Sequence, residues 1–163
     1  MDGMNSPRVR IQTAVFSVAD ELAQLQAQDP RVGAICSFVG TVRDHNDGLS
    51  VQTLELEHYP GMTEKAIEAM VDEALARFDI YGARVVHRVG LMGPTEPIVL
   101  VAVTSAHRGA SFQACEFLMD YLKTQAPFWK KEVTPAGEAR WVDARVSDDA
   151  ALARWGIQAA NAV

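Results

Sequence analysis

The stretch from Phe117 to Glu132, FLMDYLKTQAPFWKKE, constrains the fold of this chain more than any other segment. Its first half has the apolar spacing of an amphipathic helix. Pro127 must end that helix, because proline lacks a backbone N–H and its ring clashes with the preceding turn. Lys123 therefore lies in the last helical turn, and an aromatic pair leads from the break to Lys130 and Lys131. Three ammonium groups gathered beside large apolar side chains indicate an anion site.

A second group of cations lies upstream, where an apolar, strand-like run ends in Ser-Ala-His-Arg. Ser105 or Ser111 is expected to cap the helix that follows, whose free N–H groups and dipole favour an anion. Arg108 adds a two-pronged donor that suits phosphate. The alternative is that Arg108 only pairs with Glu116 or Asp120 on the same helix. That interpretation is weakened because cations are disfavoured at a helix N-terminus.

Composition limits the domain count and the kind of ligand. A chain of 163 residues with 48% apolar and 22% charged residues suits one domain with its own core. We therefore expect residues 1–163 to form a single domain. The formal net charge of −6 disfavours a general nucleic-acid-binding role. Any anionic ligand must then be held by a local basic pocket against the overall field.

No segment predicts a membrane span, a signal peptide or a metal site. No apolar run approaches the roughly 20 residues of a membrane helix, and the N-terminus lacks the apolar core of a signal peptide. Neither Cys36 and Cys115 nor His45, His58 and His87 show metal-ligand spacing. We therefore expect a cytoplasmic protein without a metal or a cofactor. The thiols are interpreted as buried small hydrophobes, and these histidines as structural or surface residues.

Hydrophobic periodicity predicts an α+β fold. Strands are expected at 9–17, 32–42, 51–58, 83–89 and 98–104, with two short ones flanking the turn at 134–138. Helices are expected at about 17–26, 63–78, 109–125 and 147–160. The third helix is expected to bury Phe112, Cys115, Leu118, Met119 and Leu122, and the polar residues 44–50 to form a loop. Because neighbouring strands can pair as hairpins, we expect mixed and antiparallel sheets with packed helices.

The sequence predicts different environments for the three lysines of the opening stretch. Lys123 lies three residues after Asp120, so an exposed ion pair is its ordinary interpretation. Its place one turn before Pro127 also lets its side chain reach the aromatic corner, where a partly desolvated lysine can act as a nucleophile or base. Period two on a strand sends Lys130 and Lys131 to opposite faces. Lys130 is favoured as the inward one.

Five segments in this order resemble the large, catalytic subunit of molybdopterin synthase, the MoaE family. They are FVGTVRDHNDG (38–48), LEHYPGMTEKA (56–66), VVHRVG (85–90), the stretch 101–132 and RWVDAR (140–145). The most specific combination is TSAHR followed by two lysines seven positions apart, with Pro-Phe-Trp between them. The family-like core covers about residues 9–145. The resemblance implies an α/β-hammerhead fold with an additional antiparallel sheet.

The resemblance also implies an activity, that of a sulfurtransferase in molybdenum cofactor biosynthesis. Members of the family convert cyclic pyranopterin monophosphate into molybdopterin by adding two sulfurs as a dithiolene. The sulfur arrives as a thiocarboxylate on the C-terminal Gly-Gly tail of a small ubiquitin-like partner subunit. Two large subunits form the homodimeric core of a heterotetramer, with one small subunit at each end. No nucleic acid and no membrane is implied as a partner.

Individual residues receive roles from the same resemblance. Lys123 matches the catalytic lysine beside the incoming tail, and Lys130 matches a second essential lysine at the substrate. The implied substrate-binding residues are Thr41, Val42, Arg43, His107, Arg108, Lys131, Glu132 and Arg145. His107 and Arg108 are expected to come from the other subunit of the dimer. Because a thiocarboxylate is already nucleophilic, no protein thiol is needed.

Two other functions stay open at this point. A non-enzymatic module that binds a ubiquitin-like Gly-Gly tail would use the lysines only for charge complementarity. An unrelated phosphate-ester or acyl-transfer enzyme would use the same anion pocket without a protein sulfur donor. Neither alternative explains why all of the matched segments occur together in this order.

Overall fold

A computed structural model describes residues 6–46, 48–142 and 146–157 of the chain. In chain order the elements are β1 (Val9–Gln12), α1 (Val18–Ala27), β2 (Ala34–Thr41), β3 (His45–Asn46), β4 (Leu49–Ser50), β5 (Thr53–His58), α2 (Met62–Arg77), β6 (Gly82–Arg88), β7 (Gly90–Met92), β8 (Pro97–Ser105), α3 (Arg108–Gln125), β9 (Phe128–Val133), β10 (Ala139–Val142) and α4 (Val146–Ala153). Helices are interleaved with strands along the chain rather than segregated into one part of it.

The first sheet has the strand order β1-β6-β8-β2. β1 pairs with β6 in parallel, whereas β6 with β8 and β8 with β2 are antiparallel. Alternate residues of β8 face opposite sides of the sheet. Val99, Val101 and Val103 join the main core, and Leu100 packs in a separate cluster with Phe16. Helices α2 and α3 bury their apolar stripes on the valine side, so both cover the same face.

The second sheet has the strand order β10-β9-β5-β7 and is antiparallel throughout. Leu54 and Leu56 of β5 are buried with Val42 and Met92 in a small cluster of their own. Val42 directly follows β2, so this cluster joins the second sheet to the end of the first one. The short hairpin of β3 and β4 lies in the connection between β2 of the first sheet and β5 of the second.

A close backbone contact fixes the start of α3. Gly33 donates its N–H to the backbone oxygen of Ser105 at 3.0 Å, just before β2 begins. A Cβ atom at this position would overlap the backbone oxygen of Ala106. Glycine is required where two backbones approach this closely. The segment that carries His107 and Arg108 is therefore held against the beginning of β2.

The predicted α+β class with mixed and antiparallel sheets is confirmed, and so are the four helices. Ser17 caps α1 by accepting a hydrogen bond from the Asp20 N–H at 3.3 Å, at the helix start that its position predicts. The two strands predicted to flank the turn at 134–138 are present as β9 and β10. Of the helix expected at 147–160, α4 accounts for the first part, and residues 158–160 lie outside the described ranges.

Several other details differ from the sequence predictions. The strand expected at 9–17 ends at Gln12, and the loop expected at 44–50 contains the β3–β4 hairpin. β7 has only three residues, too few to give a periodic signal. Phe112 was expected in the core but is 59% exposed, because the buried stripe of α3 passes through Ser111 beside it.

Among the described residues, no helix combines the length and the apolar character needed to cross a membrane. That residues 1–163 form a single domain stays a prediction. What the fold does establish is that β2, β8, β9 and α3 converge near one end of the first sheet, where most of the candidate residues lie.

Candidate active site

The course of α3 decides which candidate residues can lie together. α3 follows β8 after two residues and packs back along β8 and β2, so it runs opposite to β8. Lys123, in the last turn of α3, therefore lies at the end of the sheet where β8 begins. β2 ends there as well, because Thr41 pairs with Pro97, the first residue of β8. Lys123 and Arg43 consequently lie at the same end of the first sheet.

Lys123 is exposed and is not held in an ion pair with a described residue. Its expected partner, Asp120, accepts a hydrogen bond from Trp155 Nε1 at 2.7 Å and lies 3.8 Å from Arg154 Nε. The carboxylate is thus engaged by residues just after α4, a helix that packs against α3. The interpretation of Lys123 as half of a surface ion pair is wrong, and its ammonium group can bind a ligand.

The strand register places Lys130 and Lys131 on opposite faces of the second sheet. Lys130 pairs with Leu56 of β5, whose side chain is buried, so Lys130 shares the inner face. Lys131 pairs with Glu55 and Trp141, and its Nζ lies 5.9 Å from the centre of the Trp141 ring. The inward direction expected for Lys130 agrees with this register. Lys131 lies on the outer face, away from the other lysine.

A buried histidine lies close to both Lys123 and Lys130. His87 of β6 is 8% exposed, and its ring stacks on that of Phe128 with 3.9 Å between the ring centres. Its Nδ1 lies 2.8 Å from the backbone oxygen of Arg88, which can only accept, so Nδ1 carries the proton. Burial, with a smaller contribution from the positive charges of the two lysines, lowers the pKa of His87 to about 4. The imidazole is therefore neutral at pH 7.

Arg43 opens onto a pocket at the end of β2. This open pocket has a volume of about 520 Å³ and is lined by Thr41, Val42, Arg43, Asp44, His45, Pro94 and Thr95. The register of β2 shifts between Gly40 and Thr41, and irregularities of this kind change the direction of the side chains that follow. The guanidinium group of Arg43 is exposed and binds no described residue. It is therefore placed to bind an anion in the pocket.

Two expected substrate-binding residues are engaged within the fold itself. Val42 is buried, and its backbone N–H and C=O are hydrogen-bonded to residues 95–96 at 2.9 and 2.8 Å. Glu132 is 5% exposed, and its carboxylate accepts hydrogen bonds from Arg140 Nη2 at 2.8 Å and from Asn46 Nδ2 at 2.6 Å. Both residues thus hold the ends of neighbouring strands in place. Their polar groups are already bound within the chain.

The N-terminal end of α3 lies far from its C-terminal end. At roughly 1.5 Å per residue, the rise from Arg108 to Lys123 is about 22 Å. The expected cap is not formed there. Ser105 Oγ donates to the backbone oxygen of His107 at 2.5 Å, and Ser111 Oγ donates to that of Arg108 at 2.9 Å, so neither hydroxyl accepts from the first N–H groups. One chain therefore cannot bring its own His107 and Arg108 to its own Lys123.

The described arginines fall into two groups. Most bind oxygen atoms of the chain itself, namely Arg8, Arg10, Arg31, Arg77, Arg84, Arg88, Arg140 and Arg154. The guanidinium groups of Arg43 and Arg108 are exposed and bind no described residue. Glu116, the possible partner of Arg108, binds Arg154 at 2.7 Å instead. Arg145, expected at the same basic rim, lies outside the described residues.

In the part of the chain that the structure describes, the two cysteines and the acidic residues form no recognisable metal site. Within the described ranges, no three His, Cys, Asp or Glu side chains are grouped so that they could hold a metal ion. Cys115 is buried as expected, and burial raises the pKa of its thiol to about 12. Cys36 is only half-buried. A thiol with so high a pKa is a poor nucleophile at neutral pH, so the lysines and arginines remain the chemically significant groups.

Comparison with known proteins gives these cations a family context. The family model described as MoaE protein matches residues 11–125. The chain belongs to the MoaE family. It is 60% identical over 156 residues to the molybdopterin synthase catalytic subunit of Ralstonia nicotianae, a match covering 96% of this chain and 88% of the relative. The resemblance inferred from the five sequence segments is therefore confirmed.

Solved structures of the MoaE family share the fold. The molybdopterin biosynthesis MoaE protein from Burkholderia ambifaria is 55% identical, with a TM-score of 0.80 over 94% of this chain and 100% of that chain. A complex of subunits 1 and 2 of molybdopterin-converting factor from Helicobacter pylori has a TM-score of 0.70 over 85% of this chain and 92% of that chain, at 20% identity. The second likeness shows that the fold is kept at low sequence identity.

Proposed function

We propose that this chain is the catalytic subunit of a molybdopterin synthase and acts as a sulfurtransferase on cyclic pyranopterin monophosphate. The relatives that it matches over most of its length bear the name molybdopterin synthase catalytic subunit. One observation carries the proposal further, which is that Arg43, Arg108 and Lys123 bind no described residue. In a chain with a net charge of −6, cations left without carboxylate partners favour a local anion site.

The chemistry needs such cations because both reactants are anions. The substrate carries a phosphate, and the sulfur donor is a thiocarboxylate at the Gly-Gly tail of a small ubiquitin-like subunit. Bringing two anions together in a partly dry site requires fixed positive charges. Lys123 and Lys130 supply two of them, and both act electrostatically on the buried imidazole of His87. Their proximity supports a shared role at the reacting groups.

The lysines are assigned different tasks. Lys123, exposed at the end of α3, positions the incoming sulfur and stabilises negative charge that develops on oxygen. Lys130, on the inner face of β9, binds at the substrate and assists proton movement as the cyclic phosphate opens. The thiocarboxylate is itself the nucleophile. A carbon–sulfur bond to the pterin forms as a carbon–oxygen bond of the pterin breaks. Water then cleaves the acyl–sulfur bond, which leaves the sulfur on the pterin and returns the tail as a carboxylate, so neither cysteine takes part.

A second copy of the chain completes the site. His107 and Arg108 lie about 22 Å along α3 from Lys123 of the same chain, too far to share one ligand with it. A homodimer that brings the N-terminal end of one α3 to the lysines of the other solves this problem. Small subunits then bind at the two ends, and the protein from Helicobacter pylori is likewise a complex of two different subunits. The cytoplasmic location stays a prediction.

Reconstitution with two forms of the partner tests the proposed reaction. The chain is mixed with cyclic pyranopterin monophosphate and a small subunit that ends in either a thiocarboxylate or an ordinary carboxylate. We expect dithiolene pterin only with the thiocarboxylate, with one thiocarboxylate consumed for each sulfur added. A stable complex that yields no product contradicts the reaction and favours a tail-binding module. Conversion of the substrate without any sulfur-bearing partner favours an unrelated phosphate-ester enzyme.

A further inference from the structure

We propose that His87 is a positioning residue of the lysine site. Its neutral imidazole leaves Nε2 as an acceptor within reach of Lys130, and a hydrogen bond made there when the anions bind holds this ammonium group beside Lys123. The inference rests on the proposed function, because it adds a residue to the same site. His87 itself does not touch the substrate and acts through Lys130.

Two contacts fix the orientation of the imidazole. Nδ1 donates its hydrogen to the backbone oxygen of Arg88 at 2.8 Å. The ring also stacks on Phe128, with the two ring planes 19° apart. Because the proton of the neutral ring is on Nδ1, Nε2 is left as the hydrogen-bond acceptor. Rotating the ring would break both contacts, so the direction of Nε2 is set by the fold.

The backbone of Lys130 lies close enough to His87 for the lysine side chain to reach Nε2. Phe128 and Lys130 are two residues apart on β9, so both side chains project from the same face of the strand. Their Cα atoms are about 6.6 Å apart at roughly 3.3 Å per residue. The ring of Phe128 stacks directly on that of His87. The four-carbon side chain of Lys130 therefore has to span only the distance between positions 128 and 130 of β9 to reach the imidazole. Of the nearby cations, Lys130 also has the strongest electrostatic effect on the imidazole.

The charges around His87 explain why a neutral acceptor is useful there. Lys130 faces it from β9, Lys123 from α3 and His58 from β5. His58 has a carboxylate of its own nearby, since its Nε2 lies 3.4 Å from Glu64 Oε1. A protonated His87 would add a positive charge and repel both ammonium groups. Burial keeps the ring neutral, so it can attract Lys130 without adding charge to an anion-binding site.

Titration of His87 by nuclear magnetic resonance tests the contact without any substrate. In the wild-type chain we expect the pKa of His87 near 4. Lys130→Met should raise it, because the nearest positive charge is removed, and Lys123→Met should raise it by less. Lys65→Met, at an exposed position on α2, should leave it unchanged. An unchanged pKa in Lys130→Met would overturn the proposal, and this result does not depend on sulfur transfer.

Kinetics of paired substitutions test the positioning role. His87→Asn keeps a donor for the Arg88 oxygen but loses the acceptor at Nε2, and it should lower the single-turnover rate about 10-fold or more with unchanged substrate affinity. His87→Gln places an amide oxygen near Nε2 and should recover part of the rate. Val85→Ala, buried on the same strand, should react normally per folded molecule. Equal losses in His87→Asn and His87→Gln, or no loss in His87→Asn, would overturn the role. A wild-type chain that forms no product refutes the proposed function instead.

Discussion

Replacing Lys123 with alanine should lower the single-turnover rate of dithiolene formation by about 100- to 1,000-fold, the usual effect of losing one preorganised group that stabilises developing charge. The structure separates this effect from folding. Lys123 is exposed and binds no described residue, so its removal leaves no buried partner unsatisfied. We expect the free energy of unfolding to change by less than about 0.5 kcal/mol. Rapid-quench assays and urea unfolding of the same preparation measure the two quantities.

The matched control is Lys65→Ala, which removes another exposed lysine, from α2. It should have the activity of the wild type. Lys123→Arg adds a further distinction, because it keeps the charge but cannot give up its proton. Near-full turnover in Lys123→Arg would exclude a role for a deprotonated amine, whereas an inactive Lys123→Arg would show that charge alone is insufficient. Wild-type turnover in Lys123→Ala would contradict the catalytic assignment.

Two impaired variants, Arg108→Ala and Lys123→Ala, should regain activity at limiting substrate when they are unfolded and refolded together. A dimer with one chain of each kind has one site with both residues intact and one site with neither. If subunits pair at random, half of the dimers are mixed, and roughly a quarter of all sites are restored. The reason is the length of α3, which keeps the Arg108 of a chain about 22 Å from its own Lys123.

The control mixture combines Lys123→Ala with Lys130→Ala. Both lysines lie near His87 of the same chain, so no pairing of these two variants restores a complete site. This mixture should stay inactive. Activity in the control, or none in the mixture with Arg108→Ala, would contradict the shared site. The second outcome would mean that Arg108 acts elsewhere or that its loss prevents dimer formation, which size-exclusion chromatography distinguishes.

Local sequence signals were sufficient for the main features of the fold. Pro127 and the helical period located the end of α3, and strand alternation gave the opposite directions of Lys130 and Lys131. These predictions succeeded because each depends on residues within one or two turns of the chain. The same holds for the cap of α1 at Ser17.

Features that depend on distant parts of the chain were not predictable in this way. The partner of Asp120 is Trp155, 35 residues later, and no local pattern indicates that contact. His87 was interpreted only as a structural or surface residue. Because His87 and the buried Val85 are two residues apart on β6, their side chains project from the same face of the strand. The stacking of His87 on Phe128 also needs a contact between the two sheets, which no local pattern indicates. Tertiary contacts of this kind decide which charged groups remain available to a ligand.

Arg43 and Arg108, the two described arginines that bind no other described residue, are expected to hold the phosphate of the substrate, and calorimetric titration of cyclic pyranopterin monophosphate tests this most directly. Arg43→Ala and Arg108→Ala should each weaken binding about 10- to 100-fold, as expected for the loss of a charge-assisted hydrogen bond. Arg31→Ala, whose guanidinium is already paired with Asp29, should bind like the wild type. Wild-type affinity in either Arg43→Ala or Arg108→Ala would contradict the account.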